Sequence, residues 1–164
     1  MSLHKELGKY AEYNTWANAQ FVKLIKDLKK ADLDKEQVSS FSSIRKTVYH
    51  IWDAQHIWMM RLYGETPLGG VSKNWKGSDE DGIEFLHKSS IPLAQFVHDL
   101  SERDIKVSIT YTNLEGKEFT NALSDVLMHI FNHSTFHRGQ LVTMLRNVGV
   151  KDIPSTDYIT YCRK

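Results

Sequence analysis

A chain of 164 residues fits one domain spanning 1–164, since a single core serves domains of roughly 100–200 residues. With 41% hydrophobic and 25% charged residues, 9 Gly and 3 Pro, the composition excludes the disordered, collagen-like and membrane-embedded classes. Twenty-one Lys+Arg against 20 Asp+Glu leave a formal net charge of +1, so nucleic acid is not an expected partner.

In chain order, Leu3, Leu7, Tyr10, Ala17, Phe21, Leu24 and Leu28 recur at steps of three and four, which predicts a long amphipathic helix from Ser2 to about Lys30. Asn14 is the one polar residue in its seam. Lys29 to Ser43 reads as a polar linker ending in Ser39, Ser40, Ser42 and Ser43, all N-cap candidates. A second helix carries Ile44, Val48, Ile51, Ile57, Trp58 and Leu62 and stops at Gly64 and Pro67; an irregular Gly-rich loop to Asp81 follows. The third apolar series, Ile83, Leu86, Leu93, Val97 and Leu100, contains Ser89, Ser90 and Pro92, so a kink or a broken helix is expected there. Ile105, Val107, Ile109 and Tyr111 alternate, and Asn113 to Gly116 then lead to Phe119, the pattern of a short hairpin. The last helix runs through Leu123, Leu127, Ile130, His137, Leu141, Met144, Leu145 and Val148 and closes at Gly149. The tail contains Tyr158, Ile159 and Tyr161, too apolar to float free. The lone cysteine, Cys162, has no intrachain partner, and the N-terminus lacks a basic stretch leading into an apolar run. No apolar segment approaches the roughly 18–20 residues of a membrane span, so a cytoplasmic protein without a membrane partner is expected.

The unusual count is 8 His. His129, His133 and His137 stand at equal spacing on the last helix, but His129 and His137 are about 12 Å apart along the axis at ~1.5 Å per residue, too far to share one ion. Helical phase puts His137 nearest the apolar stripe and His129 furthest from it, which selects His133 with His137. On the second helix His50 lies in line with Ala54 and Ile57 and is the better third ligand, whereas His56 points to the opposite side. His4, His87 and His98 have no partner at ligand spacing. By itself an i,i+4 His pair more often marks hydrogen-bonded or half-exposed side chains than a metal site. Trp16, Trp52, Trp58 and Trp75 read first as packing residues, and Asn14 as a polar group that sets helix register. Ser134 occupies the place of the general-base Glu of a zinc-protease helix, so that chemistry is excluded. Gly-x-Ser-x-Gly elbows, phosphate loops and dinucleotide fingerprints are all absent, and Cys162 has no helix N-terminus to activate it as a nucleophile.

The run from His129 to Gln140, followed by Met144 to Gly149, closely resembles the last-helix signature of the DinB family. The likeness extends to Tyr13-Asn14-Thr15-Trp16-Ala17-Asn18, Val48-Tyr49-His50-Ile51, the hairpin from Tyr111 to Phe119 and the segment from Pro154 to Arg163. The resemblance implies an all-α, up-down-down-up four-helix bundle with a short β-hairpin before the last helix, and one divalent metal held by His50, His133 and His137. Pro92 departs from the family pattern and puts the course of the third helix in question.

Three neutral imidazoles leave an ion's charge uncompensated and coordination positions open, which is the catalytic pattern; imidazole suits Ni, Zn, Cu or Fe. Nickel or zinc is the expected ion. The superfamily implied by the resemblance includes transferases that use low-molecular-weight thiols. The leading expectation is therefore a metal-dependent thiol S-transferase or hydrolase acting on small electrophiles, with a non-catalytic metal-stabilised dimeric module as the alternative. Asn14, Asn132, Gln140 and Asp157 are available to support the ligands. Arg138 is expected to pair with Asp157 in the tail in preference to a substrate carboxylate. A homodimer is expected.

Overall fold

The computed structural model describes residues 2–164. Helix α1 (Leu3–Ile25) starts where the Ser2 hydroxyl accepts the Lys5 amide, and α3 (Ile44–Leu62) starts where Ser43 does the same for Lys46. Between them lies α2 (Lys30–Asp34), a short helix inside the segment read as linker. Its only buried residue is Leu33, which joins the core and ties the segment down. Arg45 also holds α2, bonding the Asp34 carboxylate and reaching Asp79. Gly64 follows α3 with φ +77°, the left-handed conformation that lets the chain turn away.

The third apolar series forms two helices, α4 (Asp79–Lys88) and α5 (Ser90–Asp99), broken at Ser89. Pro92 is not the breaker. It is the third residue of α5, within the first turn, where backbone N–H groups have no helical acceptor and its missing donor costs nothing. Strands β1 (Ser108–Thr112) and β2 (Glu118–Ala122) pair antiparallel, with Tyr111 opposite Phe119. The hairpin leads directly into α6 (Leu123–Asn147), whose first amide bonds the Val107 carbonyl at 2.9 Å. The tail ends in α7 (Tyr158–Cys162); Tyr158 and Tyr161 pack against Tyr13 of α1, which accounts for their apolar character.

Contacts along the helices give the topology. Tyr10 meets Phe131 and Asn14 meets Arg138, so α1 and α6 run parallel. Thr47 reaches Met144 while Trp58 meets His129, so α3 runs antiparallel to α6. His4 bonds the Val97 carbonyl and Thr15 that of Ser90, so α5 runs antiparallel to α1. The result is an up-down-down-up bundle in which α4 and α5 together serve as the third helix.

The core is divided in two. One half gathers Phe21, Ile25, Ile44, Val48, Ile51, Ile83, Leu86 and Leu141; the other gathers Leu7, Ala11, Leu93, Val97, Leu127, Ile130 and Phe131. Between them lies a buried polar layer. Arg138, 2% exposed, donates to the side-chain oxygens of Asn14 (2.7 Å), Asn18 (2.8 Å) and Thr135 (2.9 Å). Asn14 and Asn18 each donate to the Gln55 carbonyl oxygen, and Gln55 in turn donates to the Leu86 carbonyl and to Ser89. The expected Arg138–Asp157 pair does not form. The guanidinium turns inward to the two asparagine carbonyls, while Asp157 accepts from the Ser155 hydroxyl. Asn14 does have the structural role read for it, as one edge of this layer.

Candidate metal centre

Helices α3 and α6 cross so that the one histidine of α3 on their shared face meets two of α6. Their ring nitrogens are close: His50 Nε2 lies 3.0 Å from His133 Nε2, and His133 Nε2 lies 3.2 Å from His137 Nε2. One ligand atom from each residue fits within a 4.8 Å group. Nitrogens bound 2.0–2.1 Å from one ion, at angles between right and tetrahedral, are separated by about 2.9–3.4 Å, so the His50–His133 and His133–His137 separations each match ligation of a single small divalent ion.

The electronic state of the rings fits as well. Burial, and then the neighbouring His137, push the His50 imidazole down to about 4 against an opposing effect of Asp53. Burial, then the nearby His137, His50 and His129, bring His133 down to about 3. His137 is lowered by burial too, against an opposing effect of its bond to Gln140. All three are therefore neutral at pH 7, as metal ligation requires. Gln140 donates through Nε2 to the Ser40 hydroxyl (3.0 Å), which turns its carbonyl oxygen toward His137 Nδ1 at 2.7 Å. The proton of His137 accordingly sits on Nδ1, and the lone pair on Nε2 faces the other two rings.

The segment between α2 and α3 covers one side of the cluster, with the Phe41 ring stacked on His50 at 3.8 Å between centroids. Phe136, 61% exposed, stands edge-on to His137 on the outer side. The carboxylate that influences His50, Asp53, is engaged elsewhere, accepting from the amide (2.8 Å) and hydroxyl (2.5 Å) of Ser72. The donor set is thus three neutral nitrogens.

The other histidines stay out of the cluster, as helical phase indicates. His129 is exposed, 5.9 Å from the His133 ring and edge-on to Trp58. His56 lines a cleft with Trp52, Met59 and Phe85 on the far side of α3. His4 bonds the Val97 carbonyl, and His98 lies 3.1 Å from Glu12. Of the supporting residues considered from sequence, Gln140 alone reaches a ring of the cluster; its position three residues after His137 was the available signal. Nothing in the sequence pointed to Phe41 or to the specific contact of Ser40, because both lie in a loop whose path is set by tertiary packing. Among the described residues no helix is long and apolar enough to cross a membrane.

Comparison with known proteins agrees with this architecture. The model of the DinB family matches residues 1–163. Protein DinB of Bacillus subtilis (strain 168) is 28% identical over 158 residues, which cover 93% of this chain and 91% of that protein. The crystal structure of a DinB-like protein from Bacillus cereus ATCC 10987 has the same fold, with a TM-score of 0.60 at 18% identity over 89% of this chain and 94% of that one.

Proposed function

This chain belongs to the DinB family, and from that premise we propose that it binds one divalent metal ion, nickel or zinc, through His50, His133 and His137 and uses it as a thiol S-transferase or hydrolase on small electrophiles. The observation that carries the reading is the convergence of three neutral Nε2 atoms at 3.0 and 3.2 Å, with no carboxylate among them. A divalent ion held by three uncharged ligands keeps its charge and open positions, and so lowers the pKa of a thiol or water and polarises a carbonyl. The chain's own part is positional. Gln140 fixes the proton of His137, Phe41 fixes the plane of His50, and α3 and α6 bring together the three rings that would hold the ion. The partners are a small-molecule substrate with a low-molecular-weight thiol, and a second copy of the chain; Phe136 and Met128 are the exposed apolar residues of α6 available to such a dimer.

Metal analysis of untagged protein tests the first part. Substituting His50, His133 or His137 with Ala should reduce occupancy sharply, while His129→Ala and His56→Ala should leave it intact. Equal loss from His129→Ala would refute the ligand assignment. A panel of electrophiles with and without added thiols separates the two chemistries, since transfer needs the thiol and hydrolysis does not. Full metal occupancy with no turnover across thiols, electrophiles and esters would favour the non-catalytic module. Sedimentation showing only monomer at high concentration would remove the dimer.

A further inference from the structure

Arg138 presents a problem that the metal centre does not solve. Its guanidinium is almost fully buried, its acceptors are all neutral, and its Nε–H has no partner. The side chain forms part of the wall of a cleft of about 570 Å³ between α1, α6 and the tail.

Gly139 lies on the same wall. It is an exposed glycine in the interior of a 25-residue helix, where glycine costs about 1 kcal/mol relative to alanine. A Cβ built on it would meet nothing within 4 Å, so no packing in the chain itself calls for glycine there. The open space above it belongs to the cleft. A second cation, Arg146, stands exposed on the cleft one helical stretch further on and makes no ion pair among the described residues. The opposing charge on the lining is Asp157, already bonded by Ser155, so two guanidiniums face one carboxylate. The lining also includes aliphatic Val142 and Ile153 and three tyrosines, Tyr10, Tyr13 and Tyr158, in mutual contact at 5.1–5.3 Å between centroids.

We propose that this cleft is a second ligand site, separate from the histidine cluster, which takes a small monoanionic carboxylate on a planar apolar body. The net single positive charge of the lining selects a monoanion. The carboxylate lies against the exposed Arg146, unpaired among the described residues, with the buried Arg138 guanidinium and its unpartnered Nε–H behind the wall, and the planar body covers Gly139 against the tyrosines. The missing Cβ leaves room for it.

Benzoate is the probe, with benzylamine and inorganic phosphate as comparisons, titrated into the full-length protein and followed by ¹H–¹⁵N spectra of the backbone and of arginine Nε–H groups. Benzoate should saturate near ~1 mM, the range expected for a fragment of this size, and shift the Arg138 Nε–H and the Gly139 amide. Benzylamine should not saturate, and phosphate should bind more weakly than benzoate. Gly139→Leu, which fills the cleft from a good helix position, should weaken benzoate by at least about tenfold, the effect of excluding the planar body from its apolar contacts. Arg146→Gln, at an exposed site where folding is not at stake, should weaken it about two- to fivefold. Absence of saturable benzoate shifts, equal binding of benzylamine or phosphate, or unaltered affinity in both variants would overturn the proposal.

Discussion

Acidifying the metal-free protein from pH 7.5 to pH 5 should destabilise it through the histidine cluster. Unfolded histidines titrate near 6.5, whereas His50 and His133 are held at about 4 and about 3 in the folded chain. At pH 5 the unfolded chain therefore carries two protons that the native cluster refuses. Stability falls as pH drops through 6.5 and levels off only below the folded values. Each ring contributes about 2 kcal/mol over this interval in the limit of full burial. Discounting for the partial exposure of both rings leaves ~2–3 kcal/mol in all. For a chain of this length that is a drop in Tm of roughly 4–12 °C. Thermal or urea denaturation of metal-stripped protein at the two pH values measures it. The double variant His50→Asn/His133→Asn should lose most of the drop, keeping the smaller effects of His87, His129 and His137, which burial also lowers. A variant that loses as much stability on acidification as the parent would refute this account.

Gln140→Leu should let the His137 proton move to Nε2, seen as a change of tautomer in ¹⁵N spectra of the metal-free protein, and should weaken metal binding about 10–100-fold in a competition assay. An unchanged tautomer would show that Gln140 does not set it. Phe21→Ala, at a fully buried core position, should cost about 3–5 kcal/mol in urea denaturation without altering metal affinity.

The helices were legible because their apolar residues keep a 3.6-residue period, and the hairpin because its residues alternate. The same period placed His133 and His137 on one face of the last helix and His50 at the edge of the apolar face of the second, and the family resemblance joined the three into one set. Three features were not readable for a common reason. α2 is too short to show a period and is held by Leu33 and Arg45, both tertiary contacts. The break in the third helix was expected, but its place at Ser89 and not Pro92 depends on which first turn the proline occupies. The partner of Arg138 was misassigned because sequence proximity suggested a carboxylate in the tail, whereas the bundle places two asparagines of α1 against it.

The polar layer between the two halves of the core also decides which assembly of helices is allowed. Apolar stripes on four helices are nearly interchangeable under a slide of one turn, about 5.4 Å, because leucines and isoleucines recur at that step. Hydrogen bonds are not. A slide of α6 along α1 by one turn would take Arg138 away from at least one of Asn14 and Asn18, leaving a dehydrated cation and an amide oxygen without partners, a penalty of several kcal/mol comparable to much of a domain's net stability. A slide of α3 would likewise pull Gln55 from at least one of the two asparagines. The layer acts as an alignment key, and because α3 and α6 are among the helices it locks, it also fixes the relative height at which His50 meets His133 and His137.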